Sequence, residues 1–411
     1  MKCTFFVVVG ILCLLLAVFA ATSAQAQTFT YGTSLIATRA TARTKVGPPP
    51  ASSLKTGPQA AKCGNSKIIT FDAPDAGNSP SYGTSPLAIN LAGTIVGYYQ
   101  DNDAVYHGFV RATNGTITEF DAPGAGTAST QGTGAWAINL FGVVAGEFAD
   151  SNGVEHGYLR SADGKTFTFI DAQDAGNQAG QGTEALNLND AGAIAGIYAD
   201  LNSVYHSYLR MPDGTITEFS AAGAGNQADE GTFTAAVSGI NLTDTIPGTY
   251  YDTANVAHSF VRYSNGYIQE FDVKGAGTGS NQGAAAASIN AFGSISGDTT
   301  DNNNVSHAYL RFPNGSITIF DIKGAGTSSG LGTVAQNMND WGQIDGYYID
   351  ANGVDHGFVR ASDGTVTKFD APCAGTQSGQ GTVSAGISDT GVITGWYIDG
   401  NNVLHGFLRL P

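Results

Sequence analysis

Charged side chains are scarce in this chain of 411 residues. Only 13% of the residues are charged, about half of the ~25% that is usual in soluble domains, and this scarcity makes long charged helices unlikely to form. Methionine is also rare, with three residues. Glycine is abundant instead, because its 56 residues are nearly twice the average share of ~7%. These features predict a soluble, glycine-rich, all-β protein.

Basic residues are few relative to acidic ones. The chain has 18 Lys and Arg against 34 Asp and Glu, for a formal net charge of −16. Such an acidic chain repels phosphate groups and anionic lipids, so nucleic acid and an anionic membrane are poor partners for it. All 34 acids follow residue 66, together with 12 of the bases, so residues 67–411 carry a net charge of −22.

A long apolar run occurs only at the N terminus. Lys2 precedes an uncharged run from Phe5 to Ala21, and residues 24–26 (Ala-Gln-Ala) place small residues around a cleavage site. This order is typical of a secretory signal peptide, which we predict over residues 1–26. An uncleaved membrane anchor is the alternative, since the run is just at the lower length limit of a membrane span. We expect a secreted protein, extracellular or periplasmic, with no membrane span after cleavage.

Residues 27–66 contain five basic residues and no acid. They are rich in Thr, Ala and Pro and show no sustained periodicity, which predicts a disordered leader. Of the four cysteines in the chain, only Cys63 and Cys373 would remain after export. The predicted strands place these two cysteines at opposite ends of the sheets, so we expect no essential disulfide between them.

A repeat organises the chain after residue 67. The seven histidines follow one another at spacings of 49 to 52 residues, and each has an arginine four positions later. A period of 40 to 50 residues without a helical pattern is typical of propeller blades. The pairs are His107 and Arg111, His156 and Arg160, His206 and Arg210, His258 and Arg262, His307 and Arg311, His356 and Arg360, and His405 and Arg409.

One repeat divides into four short strands separated by turn residues, at 87–91, 94–100, 105–112 and 116–121. Four strands make one blade. The chain ends after the third strand of the last repeat, and a lone fourth strand at 67–72 precedes the first repeat. We therefore predict that residues 67–411 form a seven-bladed β-propeller of four-stranded blades, closed by this N-terminal strand. A parallel β-helix is the alternative architecture.

Asn90, Gly93 and Gly97, followed by His-Gly-Phe at 107–109, recur with variations in every repeat. This pattern resembles the HAF family of probable extracellular repeats, which is named after a His-Ala-Phe signature. The sequence departs from that signature by mostly having His-Gly-Phe or His-Gly-Tyr. The resemblance implies export and a repeat fold, and it brings no established reaction or catalytic residue.

The histidine and arginine columns are interpreted as structural, because a group that is needed once for chemistry would not recur in every repeat. Buried polar groups need partners, and aspartates such as Asp121 or asparagines such as Asn90 are candidates. Turn residues such as Asp101 could hold calcium, but the acid of the twelfth position is missing. We therefore interpret them as hairpin turns, and we expect no metal and no other cofactor.

The Gly- and Ala-rich segments between repeats and the Asp-Asn turns should share one face of the ring, which is our candidate ligand face. Candidate ligand-binding residues are those that depart from the repeat. Asp229 and Glu230 are interpreted as part of a three-residue insertion that lengthens one period to 52 residues. The other candidates are Glu184, Trp136, Trp396, and the acids Glu147 and Asp298, which replace tyrosine on second strands.

These observations favour a non-catalytic binding or structural module, monomeric, whose ligand is a polysaccharide such as a surface glycan, or a protein. The alternative is a glycan-active hydrolase or lyase with acids at the channel mouth. No histidine remains outside the repeat to act as a base, and innermost strands such as 284–287 have small uncharged side chains. Two convergent carboxylates in a deep pocket would favour the enzyme, and an aromatic surface would favour the binding module.

Overall fold

The structure, a computed structural model, describes residues 67–235 and 238–411. The predicted signal peptide (1–26) and leader (27–66) lie outside the described residues. The described residues form 28 strands and no helix. In chain order the strands are β1 (Ile68–Phe71), β2 (Gly83–Ile89), β3 (Ile95–Gln100), β4 (Tyr106–Arg111), β5 (Ile117–Phe120), β6 (Gly132–Ile138), β7 (Val144–Ala149), β8 (Glu155–Arg160), β9 (Phe167–Ile170), β10 (Gly182–Leu188), β11 (Ile194–Ala199), β12 (Tyr205–Arg210), β13 (Ile216–Phe219), β14 (Gly231–Thr234), β15 (Ile246–Tyr251), β16 (Ala257–Arg262), β17 (Ile268–Phe271), β18 (Gly283–Ile289), β19 (Ile295–Thr300), β20 (Ser306–Arg311), β21 (Ile317–Phe320), β22 (Gly332–Met338), β23 (Ile344–Ile349), β24 (Asp355–Arg360), β25 (Val366–Phe369), β26 (Gly381–Ile387), β27 (Ile393–Ile398) and β28 (Leu404–Arg409).

The first strand, β1, closes the array of strands by pairing with the last strand, β28. β1 pairs antiparallel with β28, with Phe71 opposite Gly406. Gly83, at the start of β2, also pairs with Leu404 at the start of β28. The described strands therefore form a closed ring, and the prediction of an all-β ring of repeated strands is confirmed.

Within a repeat, four consecutive strands pair antiparallel, as β2 does with β3, β3 with β4 and β4 with β5. The first strands lie next to one another in the ring, since β2 contacts both β6 and β26. Antiparallel pairing places successive connections on opposite ends of the strands. One end carries the connections from first to second strand and from third to fourth, and we call it the turn face. The other end, the loop face, carries the Asp-Asn turns and the segments between repeats.

The turns of the turn face form two sets. The inner turns join first and second strands, and the outer turns join third and fourth strands. The inner turns are residues 90–93, 139–142, 189–192, 241–244, 290–293, 339–342 and 388–391. The outer turns are residues 112–115, 161–164, 211–214, 263–266, 312–315 and 361–364.

Six of the repeat arginines stack on a phenylalanine of the preceding repeat. The guanidinium carbon of Arg111 lies 4.7 Å from the ring centre of Phe71. The arginines therefore have aromatic partners rather than the aspartates and asparagines expected from the sequence, because the fourth strand of one repeat packs beside the third strand of the next. The other pairs are Arg160 with Phe120, Arg262 with Phe219, Arg311 with Phe271, Arg360 with Phe320, and Arg409 with Phe369.

The substitution Arg262→Gln tests these contacts. We expect it to lower the free energy of unfolding by about 1–2 kcal/mol, which is the size of a cation–π contact shielded from water. Arg210→Gln is the matched control, because Arg210 has Ile170 where the other repeats have phenylalanine. Urea denaturation of both variants measures their free energies of unfolding. Equal losses in the two variants would contradict a stabilising role for the phenylalanine ring beneath Arg262.

Each histidine connects two parts of its own repeat. His107 Nδ1 lies 2.9 Å from Asp121 Oδ1, and its Nε2 lies 3.6 Å from Asp101 Oδ2. Burial alone would lower the pKa of His107, but hydrogen bonds with the two aspartates raise it to about 9. Asp101 also accepts the N–H groups of Asp103 and Val105. The histidine thus ties an Asp-Asn turn to the end of the fourth strand. The arrangement recurs at His156, His206, His258, His307, His356 and His405, with Ser220 as the second partner of His206 and Asp72 as that of His405.

The three-residue insertion comes after β14. It does not lie in the segment that precedes β14. The inner turn at Asn189 begins seven residues after Gly182, the first residue of β10. The equivalent turn at Asn241 begins ten residues after Gly231, the first residue of β14. Gly231 pairs with the start of β12 as the first residue of β10 pairs with the start of β8, so the segment preceding β14 has the ordinary length. The predicted placement of Asp229 and Glu230 inside the insertion is therefore wrong.

Cys373 is disulfide-bonded, and its partner lies outside the described residues. Cys63 is the one other cysteine that would remain after removal of residues 1–26. The prediction that no disulfide between Cys63 and Cys373 is essential concerns a residue outside the described part of the chain, so it stays a prediction. It rested on strand directions alone, which determine the position of Cys373 but not the path of the chain before residue 67.

Candidate functional site

Large apolar side chains are exposed mainly on the turn face. Phe141, Phe292 and Trp341, in three inner turns, are 68%, 72% and 70% exposed. Tyr267, which follows an outer turn, is 61% exposed. On the loop face Leu201 is the one exposed large apolar side chain among the described residues. The aromatic surface therefore lies opposite the face that the sequence suggested for ligand binding.

The inner turns do not need these aromatic side chains. All seven close with the same hydrogen bond, from the N–H of the fourth residue to the carbonyl of the first. Exposed aromatic side chains gain little from folding, and three of the seven inner turns carry one, which makes these turns candidates for contact with a partner. The sequence analysis missed these aromatic residues, although a comparison of the repeats at this one position shows that they differ from the other repeats. The position of Phe141, Phe292 and Trp341 is occupied elsewhere by Ala92, Ala191, Thr243 and Thr390.

Asparagines connect the inner turns to one another. Asn90 Oδ1 accepts the N–H of Thr94 at 3.0 Å, and its Nδ2 donates to the carbonyl of Asn139 in the next inner turn at 3.0 Å. Asn339 donates in the same way to the carbonyl of Ser388 at 3.1 Å. The asparagine column thus holds the inner turns together, and it does not serve the histidines or arginines.

Aspartates provide a second set of links. Asp190 accepts the N–H of Leu140 at 2.7 Å, and Asp340 accepts that of Ala291 at 2.7 Å. Asp389 accepts the N–H of Asp340 at 2.9 Å. Burial raises the pKa of Asp389, and the negative charges of Asp340 and Asp190 oppose its ionisation further, against the lowering effect of its backbone hydrogen bond. The inner turns thus bring several carboxylates into electrostatic contact.

A cleft that opens to solvent lies where the first strands reach the inner turns. Ala88, Ala137, Asn187 and Ile240 are among its lining residues. Asn187 is held there because its Oδ1 accepts the N–H of Gly239 at 2.7 Å. We call the cleft, together with the seven inner turns, the axial mouth. The residues that line the cleft come from five repeats, which do not include those of Phe292 and Trp341. The axial mouth combines exposed aromatic rings, carboxylates and amide groups.

Two predicted residues, Trp136 and Glu147, meet in a narrower cleft toward the loop face, which has room for about one water molecule. Tyr98 and Tyr106 also line it, and the four side chains are only 2–5% exposed. The Nε1 of Trp136 has no hydrogen-bond partner within the described part of the chain. Trp396 is 3% exposed and belongs to the same apolar cluster as Trp136. Both tryptophans are thus buried, and Trp136 also lines the cleft of the axial mouth.

The remaining predicted acids lie in three different repeats, with Asp229 and Glu230 adjacent in one of them. Asp298 is 3% exposed, and burial raises its pKa well above the usual range. Glu230 accepts the N–H of Gln227 at 2.9 Å, so it has the turn-holding role that glutamine has in other repeats. Asp229 has a φ of 73° and a pKa raised by burial. Glu184 is half-buried on β10.

The sequence analysis missed Asp345, a fully buried carboxyl group on β23. Asp345 Oδ1 accepts the N–H of Asn337 at 3.1 Å, and the hydroxyl of Ser384 donates to Oδ2. Burial raises the pKa of Asp345 to about 7, against the lowering effect of these hydrogen bonds. The equivalent position is Val96 or Ala145 in other repeats, and this contrast was the signal available in the sequence.

Within residues 67–235 and 238–411 there is no group of three or more His, Cys, Asp or Glu side chains that could hold a metal ion. The Asp-Asn turns use their carboxylates internally, since Asp150 Oδ1 accepts the N–H groups of Asn152 and Val154. That is the hairpin role interpreted from the sequence. The same described residues contain no helix that is long and apolar enough to cross a membrane.

No protein-family model matches the chain, and no curated protein matches it. Among solved structures, the chain is similar to a fungal lectin of Aleuria aurantia described as a six-bladed β-propeller with a novel fucose recognition mode, with 14% identity, 70% of this chain and 95% of that chain covered, and a TM-score of 0.41. It is also similar to AofleA from Arthrobotrys oligospora, with 12% identity, coverages of 77% and 94%, and a TM-score of 0.43. A puromycin hydrolase matches with 11% identity, coverages of 77% and 50%, and a TM-score of 0.46.

Proposed function

We propose that this protein is an exported, non-catalytic module that binds a polysaccharide at the axial mouth. The exposure of Phe141, Phe292 and Trp341 carries the proposal, because the same turns fold elsewhere in the ring with alanine or threonine. A sugar ring offers an apolar face for stacking and hydroxyl groups for hydrogen bonds. Binding sites that suit such ligands combine aromatic side chains with a few polar groups, as the axial mouth does.

The proposal includes a seven-bladed propeller as the scaffold. Its support is the grouping of the 28 strands into sets of four, with β1 as the fourth strand of the set that ends at β28. The resemblance of the repeat to the HAF family agrees with this architecture. Export is proposed from the signal-peptide pattern of residues 1–26, and a monomeric state goes with a closed ring that leaves only short strand edges.

Binding is favoured over hydrolysis because of where the carboxylates lie. Glycosidases hold two carboxyl groups roughly 5–9.5 Å apart on either side of the scissile bond. Asp340 and Asp389 each accept a backbone N–H of the turns, which gives them a structural role. Glu147 and Asp298 are 2% and 3% exposed, so a polymer does not reach them without opening the interior.

Binding to a panel of polysaccharides tests the proposal, with product release followed in the same samples. We expect Trp341→Ala and Phe292→Ala to weaken the binding of the best ligand by roughly tenfold each, the cost of truncating a central contact residue. Tyr267→Ala is the matched control, because it removes an equally exposed aromatic ring outside the axial mouth. Unchanged affinity in both mouth variants would contradict the proposed site, and release of product would contradict a non-catalytic role.

A further inference from the structure

We propose that the polysaccharide bound at the axial mouth is cationic, a polymer of amino sugars with free ammonium groups. The inference rests on the proposed function and adds the charge of the ligand. Its basis is the combination of exposed aromatic rings and carboxylates in the inner turns, in a ring of strongly negative charge.

The inner turns carry charge of one sign only. Their residues include four aspartates and neither lysine nor arginine. The whole of residues 67–411 has a net charge of −22, so the field around the mouth attracts cations at long range. A polymer of neutral sugars makes no use of this field, and an anionic polymer is repelled by it. The four aspartates are Asp190, Asp244, Asp340 and Asp389.

The arginines of the turn face do not cancel this charge at the mouth. Each lies at the end of a third strand, beside the outer turns, whereas the mouth is bordered by the first strands. Arg111 and Arg311 are only 6% and 3% exposed, and their guanidinium groups lie against the rings of Phe71 and Phe271. A polymer that crosses the inner turns therefore meets carboxylates and not guanidinium groups.

Aromatic residues and aspartates follow one another in three consecutive inner turns. Phe292 and Trp341 lie in adjacent inner turns, which are joined by the hydrogen bond from Ala291 to Asp340. Asp340 in turn is bonded to Asp389 of the following turn. An amino sugar presents an apolar ring face and an ammonium group on the same residue, so a short run of the polymer can stack and form ion pairs at once. A lysine-rich peptide has the charge but no flat ring.

The test compares two oligomers with the same ring and linkage, β-1,4-linked glucosamine and β-1,4-linked N-acetylglucosamine. At about pH 6 ordinary carboxylates are ionised and the amine of glucosamine is protonated. An ammonium group bound beside Asp389 favours the ionised form of that carboxyl group. We expect the glucosamine oligomer to bind about tenfold more tightly, because several exposed ion pairs act together. The preference should shrink strongly between about 0.05 and 0.5 M salt as the Debye length falls.

Two pairs of variants locate the preference. Asp340→Asn and Asp389→Asn keep the oxygen that accepts the turn N–H and remove the charge, so we expect each to reduce the preference by about threefold. Asp213→Asn and Asp363→Asn, in outer turns of the same face, are the matched controls and should leave it unchanged.

Three outcomes would overturn the inference. Equal affinity of the wild type for both oligomers, or a preference for a neutral polymer, would rule out a cationic ligand and leave the proposed glycan binding intact. A lysine oligomer that binds as tightly as the glucosamine oligomer would show that charge alone is recognised. A wild type that binds no glycan of the panel would remove the proposed function as well.

Discussion

Deleting residues 67–73 should lower the melting temperature by roughly 10 °C or more, or leave the ring unfolded. The deletion removes β1 and with it the antiparallel pairing to β28. It also removes Phe71 from beneath Arg111 and Asp72 from His405. Burial of Phe71 alone is worth about 3–5 kcal/mol, and each kcal/mol shifts the melting temperature of a large domain by roughly 2 °C.

The deletion of residues 27–60 is the control, since it leaves β1 and Cys63 in the chain. Melting followed by circular dichroism gives both values, and equal melting temperatures would contradict closure by β1. Because the deletion of residues 67–73 can prevent folding altogether, Phe71→Ala serves as a milder variant. It keeps the strand and should cost about 3–5 kcal/mol in urea denaturation, whereas Ile69→Ala, on the exposed side of β1 (42% exposed), should cost far less.

The repeat made the strand pattern readable from the sequence. Turn residues fall at constant offsets from each histidine, and the described strands follow them from β2 to β28. The orphan strand could be recognised because the last repeat lacks a fourth strand. What the period cannot show is which groups meet between repeats. Arg160 and Phe120 are forty residues apart in sequence, and their contact follows from the angle between neighbouring sheets rather than from any local pattern.

The candidate site was harder to predict because departures from the repeat have two different causes. Trp136 and Glu147 depart from it in the interior, where each side chain must fit its neighbours in a ring that is not perfectly symmetric. Phe141 and Trp341 depart from it on the surface, where no neighbour requires them. The sequence shows both kinds of departure alike, and only the exposed fractions, 2% for Trp136 against 70% for Trp341, separate them.

Buried carboxyl groups should make the ring less stable as the pH rises. Asp345 is fully buried, and burial raises its pKa to about 7. Asp298 is 3% exposed, and burial raises its pKa well above the usual range. An unfolded aspartate has a pKa of about 3.9. Between about pH 4 and 7 the unfolded chain therefore releases the proton of Asp345 while the folded ring keeps it, and the free energy of unfolding falls. Below pH 4 both states are protonated, and above pH 7 the loss is complete.

The substitution Asp345→Asn should remove this contribution, because asparagine keeps an oxygen for the N–H of Asn337 and carries no proton that titrates. Three pKa units correspond to about 4 kcal/mol, so the variant should gain up to that amount over the wild type at pH 8 and nearly nothing at pH 4. Asp363→Asn, on an exposed outer turn, is the control. The pH dependence that the chain's net charge produces is common to all three proteins and cancels in the difference. Urea denaturation at several pH values measures the difference in the free energy of unfolding. A difference between Asp345→Asn and wild type that stays constant from pH 4 to pH 8 would show that Asp345 is ionised in the folded ring throughout.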